Sequence, residues 1–290
     1  MKLDSIQPGT KKGGLFSGFI DRAGEERFAM KTSCSSWCYH RTFQAGKMDQ
    51  MSWLRQCAEL GLDGVELLSN HFDRIERDYL VKLKKACADL YLTIAMVSAG
   101  GHLTVSDDRR RSAEVEDIRK WVDVAGFLGA PRVRFFCGSG EELAAGGPEL
   151  YAKVVDAIKQ IAAIGADQGI VMAMENHGGT TAEQILKLLA DVDSPFLKLT
   201  LDTGNFPSVN HVGPETYENI ERCAPHAAIV HAKFFNVNPD GTDSEFDWPK
   251  IHGILAEAGF RGFLSVEYEG ADDDEIGTLK RIAPFIKSLR

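Results

Sequence analysis

The sequence has no apolar run long enough to cross a membrane. Its six cysteines are scattered over 290 residues, and no C-x-x-C motif occurs. A chain of this size does not depend on disulfides for a core, so we expect reduced, buried thiols. The first thirty residues lack a continuous apolar segment with a cleavage site, which predicts no secretory signal. A cytoplasmic protein without membrane association is the expectation.

Basic residues are too few to balance the acidic ones, and the formal net charge is -9. A surface of this sign repels phosphate backbones, which argues against a nucleic-acid partner. Low-complexity segments are also absent, and the 44% hydrophobic and 26% charged content is ordinary for a globular protein. The length is close to that of a single α/β barrel.

Residues 1–28 are polar and glycine-containing, without clear periodicity, and are predicted to be an N-terminal extension that wraps the domain or packs on a partner chain. From residue 29 onward, short apolar runs alternate with longer segments of helical periodicity. This alternation is typical of βα units with a parallel sheet. The predicted strands are residues 29–35, 64–68, 93–98, 132–136, 171–175, 197–201, 228–232 and 262–267.

Eight such units predict a single-domain (β/α)8 TIM barrel over residues 29–290. The rival architecture is a doubly wound open sheet, which usually carries a glycine-rich phosphate loop after its first strand. The segment in that position, SCSSWCYHRTF, contains no glycine. The barrel is therefore the favoured fold.

Four consecutive predicted strands end in a residue of the type that binds metals. These residues are Glu175, Asp202, His231 and Glu267. In a (β/α)8 barrel the working groups lie at the C-terminal ends of the strands, so all four would face one mouth. A single acidic residue there is commonly a helix cap or an ion-pair partner, but four successive strand ends are hard to explain by capping.

Three carboxylates in one partly buried cleft repel each other, and a divalent cation would resolve that repulsion. Carboxylate oxygens with one imidazole suit Mn²⁺, Mg²⁺ or Co²⁺ better than a structural Zn²⁺. The sequence therefore predicts one divalent metal ion, which could be Mn²⁺, Mg²⁺ or Co²⁺ on the ligand types alone. Glu269 competes with Glu267 for the fourth position but lies one strand step nearer the loop.

The segments that carry these residues resemble a known superfamily. ENHGG, LDTGNF, VHAKF and the closing GFRGFLSVEYEG, together with the early ELGLDGVELL, are similar to the xylose isomerase-like TIM barrel superfamily, which includes sugar phosphate isomerases and epimerases. The resemblance covers about residues 29–290. It implies that Glu175, Asp202, His231 and Glu267 hold one ion, commonly manganese. It also implies that Glu175 and Glu267 form the acid/base pair.

Two departures from the epimerase pattern bear on substrate. Asn205 follows Asp202 where ketohexose epimerases typically have a histidine, and Lys233 follows His231 where they place an arginine. Both are predicted to bind substrate. Further substrate-binding candidates are His102, His177, Glu66 and the aromatic residues Trp37 and Phe206. The alternative for His102 is a solvent-facing loop histidine, and for Glu66 it is a polar residue of a barrel layer. The alternative for the two aromatic residues is packing in the core.

The predicted function is a divalent-metal-dependent isomerase or epimerase acting on a keto sugar or related polyol ketone, by proton transfer through a metal-stabilised enediolate. The alternative is a dehydratase or lyase, inosose dehydratase-like or cleaving a 3-keto-glycoside, because the same enediolate can expel a leaving group. An abasic-site endonuclease is disfavoured by the acidic charge. A non-enzymatic binding or scaffold subunit is a further alternative. The expected partner is a small carbohydrate, with a homo-oligomer or a partner subunit also compatible.

Overall fold

The protein is described by a computed structural model covering residues 29–206 and 210–289. The predicted N-terminal extension at residues 1–28 lies outside the described residues. Within them the strands are β1 (Lys31–Ser35), β2 (Gly64–Leu68), β3 (Thr93–Ser98), β4 (Arg132–Phe136), β5 (Val171–Glu175), β6 (Leu197–Asp202), β7 (Ala227–Phe234) and β8 (Phe263–Tyr268).

These strands form one closed, all-parallel barrel in chain order, and β1 pairs with β8 to complete the ring. The helices are α1 (His40–Gln44), α2 (Gln50–Glu59), α3 (Arg77–Asp89), α4 (Asp108–Leu128), α5 (Gly140–Ala145), α6 (Gly147–Gln168), α7 (Ala182–Val192), α8 (Pro214–Cys223), α9 (Trp248–Glu257) and α10 (Glu275–Ser288). The predicted (β/α)8 TIM barrel is confirmed. The short helices α1 and α5 lie in the loops after β1 and β4 and were not predicted as separate elements.

Local signals in the sequence account for where the helices begin and end. At the start of α7, the Thr181 hydroxyl accepts from the Gln184 amide while the Gln184 side chain accepts from the Thr181 amide, a capping box. At the C-terminal end of α4, the capping residue Gly129 takes φ 83°, a left-handed conformation that glycine adopts without a steric penalty. Such caps satisfy backbone groups that the helix itself leaves unpaired.

The barrel interior changes character from one end to the other. Ile229 and Ala173 belong to a small buried apolar cluster inside the barrel, with Met96 and Phe263. Two residues further along the same strands stand His231 and Glu175, which face the same way because strand side chains alternate. The main core lies between the sheet and the surrounding helices. The apolar end closes the barrel, and the polar end at the C-terminal side holds the ionisable groups.

Strand β7 extends two residues beyond its prediction because Lys233 and Phe234 pair with Glu267 and Tyr268 on β8. The pairing puts Lys233 beside Glu267 at the barrel mouth. Among the described helices, none combines the length and the apolar character needed to cross a lipid bilayer.

Candidate metal and substrate site

The four predicted ligands lie on neighbouring strands at the C-terminal end of the barrel. Glu175 ends β5, Asp202 ends β6, His231 lies on β7 and Glu267 on β8. Asp202 and His231 are direct register partners. All four are buried, with at most 5% of the residue surface exposed.

Glu175, Asp202 and His231 each offer one ligand atom, and these atoms lie within 4.8 Å of one another. The Nδ1 atom of His231 is 3.6 Å from Glu175 Oε2 and 3.6 Å from Asp202 Oδ2. Within the described residues, these three buried atoms have no hydrogen-bond partner. Buried polar atoms without a partner are costly, and a divalent cation would satisfy all three together. The side chains present therefore fit such an ion.

Glu267 stands beside this group but is engaged elsewhere. Its Oε2 atom is 3.2 Å from His231 Nδ1, yet it accepts a hydrogen bond of 2.7 Å from Lys233 Nζ. Lys233 Nζ also lies 3.0 Å from Asp202 Oδ2 and 3.3 Å from Glu269 Oε1. The buried ammonium is thus shared by three carboxylates at the edge of the cluster and offsets one of their charges. The role of Glu267 as a fourth ligand stays a prediction.

Glu66 lies fully buried on the far side of the His231 ring from the carboxylates. Both of its carboxylate oxygens are 3.1 Å from His231 Nε2, and they accept hydrogen bonds of 2.7 Å from the hydroxyls of Ser98 and Ser265. A carboxylate in this position favours the tautomer with its proton on Nε2. That tautomer leaves the Nδ1 lone pair facing Glu175 and Asp202, as a metal-binding histidine requires.

Asp202 is held by backbone and amide contacts that orient its carboxylate. The Asn176 side chain accepts from the Asp202 amide at 2.8 Å and donates to the Asp202 carbonyl at 2.9 Å. The Gly204 amide donates to Asp202 Oδ1 at 2.8 Å, which leaves Oδ2 for the cluster. A Cβ at position 204 would lie 2.7 Å from Lys233 Cγ, so this close approach needs glycine.

The buried groups of the cluster have pKa values that are shifted in different directions. Burial raises the pKa of Glu175 to about 8; His231 and Arg134 oppose that shift, while Asp202 and Glu267 add to it. Burial also acts on Glu267, but the positive charges of His231 and Lys233 outweigh it and hold the Glu267 pKa well below its usual value. The pKa of His231 is well above normal, because its carboxylate neighbours outweigh desolvation. The metal-free cluster therefore carries protons that a cation must displace.

A cavity of about 340 Å³ opens above the cluster at the barrel mouth. Its wall includes Glu175, Glu267, Lys233, His177 and Trp37. The His177 ring packs on Phe136 with ring centroids 4.3 Å apart, and burial lowers the His177 pKa. The Trp37 ring stacks on His40 at 4.5 Å. The cavity size suits a small ligand.

Some predicted substrate-binding residues do not line this cavity. His102 is 45% exposed at its side chain, and its Nε2 lies 2.5 Å from Glu142 on α5. Asn205 is buried, and its Oδ1 accepts from the Asn210 amide at 3.2 Å. Glu66 lies beneath His231, and Phe206 is part of the main core. The substrate roles of His102, Asn205 and Glu66 stay predictions.

Arg134 is a cavity residue that the sequence reasoning did not single out. It lies on β4, is 5% exposed, and its Nε is 3.3 Å from Glu175 Oε2. The signal was present in the strand RVRFF, where Arg132, Arg134 and Phe136 share one face by alternation. A charged residue on an inward face near the C-terminal end of a barrel strand points to the site.

The fold and the cluster define a (β/α)8 barrel with a candidate divalent-metal site at its mouth. The family described as a xylose isomerase-like TIM barrel matches residues 54–289, and the chain belongs to this family. A 3-dehydroshikimate dehydratase from Bacillus anthracis is 24% identical over 225 residues, which cover 75% of this chain and 76% of that protein.

Two solved structures show the same fold. A D-allulose 3-epimerase from Methylomonas sp. in complex with D-allulose superposes with a TM-score of 0.72 at 19% identity, covering 90% of this chain and 97% of that one. A xylose isomerase-like TIM barrel protein from Mycobacterium smegmatis in complex with magnesium has a TM-score of 0.67 at 16% identity, covering 90% and 96%. The similar proteins thus include a dehydratase and an epimerase.

Proposed function

We propose that this chain is a divalent-metal-dependent isomerase or epimerase acting on a keto sugar or a related polyol ketone. The observation that carries the proposal is the meeting of Glu175 Oε2, Asp202 Oδ2 and His231 Nδ1, buried and without hydrogen bonds among the described residues, beneath the mouth cavity. Glu267 is proposed as the fourth ligand, released from Lys233 when an ion binds. Mn²⁺ is the proposed ion, since carboxylates with one imidazole form a mostly hard ligand set.

A bound divalent ion supplies Lewis-acid chemistry, which polarises a carbonyl and acidifies the neighbouring C–H bond. Glu175 and Glu267 are proposed to move the proton. They lie on strands β5 and β8, three apart around the ring, so a substrate in the cavity has one carboxylate on each side. One glutamate removes the proton, and the other returns it to the opposite face or to the adjacent carbon. Lys233 and His177 line the same cavity and are proposed to orient substrate oxygens.

A dehydratase or lyase is the second candidate, favoured by the similarity to the 3-dehydroshikimate dehydratase over three quarters of the chain. The first step is the same removal of a proton next to a carbonyl. The electron pair then expels a leaving group from the next carbon instead of taking up a proton. The glutamate that took up the proton then returns it to the leaving group.

The test is a screen of Mn²⁺-loaded protein against keto sugars, inososes and 3-keto-glycosides in deuterated water, followed by NMR. An isomerase or epimerase gives an isomeric product with deuterium at the reacting carbon. A dehydratase or lyase gives an unsaturated product or a released aglycone. If metal-free protein turns over fully, the metal-dependent proposal is wrong.

The assignment of the acid/base pair is tested on the substrate found in that screen. Glu175→Gln and Glu267→Gln are each expected to lower the rate by at least ~10²-fold, because the amide cannot accept the proton. Glu149→Gln is the matched control, since Glu149 pairs with Lys153 on the outer helix α6 and does not line the cavity. If both site variants keep near-normal turnover and deuterium exchange, neither glutamate is the base.

A further inference from the structure

Arg134 is a buried cation with few polar contacts to the rest of the described chain. Its side chain is 6% exposed, and its nearest acidic atom is Glu175 Oε2 at 3.3 Å from Nε, a contact that does not meet hydrogen-bond geometry. A guanidinium offers five N–H donors. In the described parts of the chain, none of them donates a hydrogen bond to protein. Because a buried charged group without hydrogen bonds is costly, this arrangement points to a ligand.

The guanidinium is nevertheless held in place. It lies over the Phe136 ring, 4.1 Å from the centroid, and His177 packs on the same ring. Stacking on an aromatic face fixes the plane of an arginine while leaving its donor edge free. Since Arg134, Phe136 and His177 all line the mouth cavity, the free donors are available to a molecule bound there.

Lys233, the other cation of the cavity, is in a different situation. Its ammonium is within 3.3 Å of carboxylate oxygens from Asp202, Glu267 and Glu269. Glu269 is not a proposed metal ligand, so Lys233 keeps an acidic partner when an ion takes the other two carboxylates. Among the described residues, Glu175 is the one acidic side chain within ion-pair distance of Arg134, and it is a proposed metal ligand whose charge the ion would share. Of the two, Arg134 is the cation left for a substrate anion.

We propose that Arg134 binds a carboxylate of the substrate, which makes the substrate a keto acid, such as a sugar acid or a cyclic hydroxy-keto acid, and not a neutral ketose. This inference deepens the proposed function and rests on it for the metal beside Arg134. A carboxylate accepts two parallel N–H bonds from one guanidinium. A phosphate dianion would place more negative charge next to Glu175 and Glu267, and among the described cavity residues Arg134 is the one free cation to meet it.

The test measures ligand binding by calorimetry on the Mn²⁺-loaded full chain. Two matched pairs differ only in one terminal group, a carboxylate or a hydroxymethyl: 5-keto-D-gluconate against L-sorbose, and 2-keto-D-gluconate against D-fructose. Hydrogen bonds to charged groups contribute about 1.5–3 kcal/mol, so we expect at least one keto acid to bind about 10- to 100-fold more tightly than its neutral partner.

Arg134→Met is expected to reduce that preference to less than about threefold, once two buried charge-assisted bonds are lost. Arg132→Met is the matched control. Arg132 lies on the same strand and same face but at the other end of the barrel, away from the cavity. Arg134→Lys covers the case in which the methionine variant does not fold; it should keep the charge but lose part of the preference, because the ammonium cannot bind bidentately.

Three results would overturn the proposal. The first is no preference for either acid, or no binding of either at millimolar concentration. The second is a preference that survives in the Arg134 variants, since the ion itself would then be the receptor. The third is binding of D-fructose 6-phosphate that depends on Arg134 and is tighter than the binding of either keto acid. Turnover and the Mn²⁺ dissociation constant are measured separately, so an intact acid preference without turnover or without metal binding counts against the proposed function alone.

Discussion

Replacing Glu66 by glutamine tests whether the metal site depends on the carboxylate that contacts the His231 ring from the side opposite the proposed ligands. Glu66 is 0% exposed and contacts His231 Nε2 with both oxygens at 3.1 Å. Glutamine keeps the volume and one acceptor but removes the negative charge that fixes the His231 tautomer. Loss of such a partner behind a ligating histidine typically weakens metal binding by about 10- to 100-fold. That range corresponds to about 1.4–2.7 kcal/mol of binding free energy.

A leucine at the same position would not be informative. It would leave the hydroxyls of Ser98 and Ser265 and the Nε2–H of His231 without their acceptor. Each such buried group costs about 1–3 kcal/mol, so the total approaches the whole stability of a typical domain. In Glu66→Gln the serine hydroxyls can rotate and accept from the amide, so folding should survive.

The assay is calorimetric titration of metal-free protein with MnCl₂, with the unfolding temperature of the metal-free protein measured in parallel. Glu142→Gln is the control, because it changes another histidine–glutamate pair, 2.5 Å apart, outside the cluster. We expect weaker Mn²⁺ binding in the Glu66 variant alone. If Glu66→Gln binds Mn²⁺ within about threefold of the unaltered protein, the orientation of His231 does not depend on Glu66.

Metal binding should depend on pH. The pKa of Glu175 is raised to about 8 and that of His231 is also raised, so the metal-free cluster holds protons that the ion must displace. These protons are lost as the pH rises. We therefore expect the Mn²⁺ dissociation constant to fall, and fewer protons to be released, between about pH 6.5 and pH 8, as measured by calorimetry in buffers of different ionisation enthalpy; an unchanged constant would contradict this. Gly204→Ala should lower the free energy of unfolding by about 1–3 kcal/mol, because the new Cβ would lie 2.7 Å from Lys233 Cγ. A Cβ added at Gly253 in α9 would meet no heavy atom within 4 Å, so Gly253→Ala should instead raise the free energy of unfolding by about 0.5–1 kcal/mol. Equal effects of the two substitutions in urea denaturation would refute the steric argument.

Much of the fold could be read from local patterns. Residues 64–68, 93–98, 132–136 and 171–175 coincide with β2, β3, β4 and β5, because short buried strands between helical segments are visible as apolar runs. In the other four strands, the ends differ from the prediction by one or two residues. Those shifts came from pairing, as where Lys233 and Phe234 extend β7 along β8.

The sequence by itself determined which residue types stand at the strand ends, and with the barrel topology that was enough to bring Glu175, Asp202 and His231 together. It could not determine what each side chain contacts. His102 follows β3 but pairs with Glu142 at the rim, and Glu267 hydrogen-bonds to Lys233.

Glu66 and Arg134 show why only the tertiary structure could decide these points. Each lies on a different strand from the residue it serves: Glu66 on β2 contacts His231 on β7, and Arg134 on β4 lies beside Glu175 on β5. Strand spacing predicts the height of a side chain along its own strand. Its partners depend on the closure of the ring and on which neighbours face the same side, and these are properties of the assembled barrel.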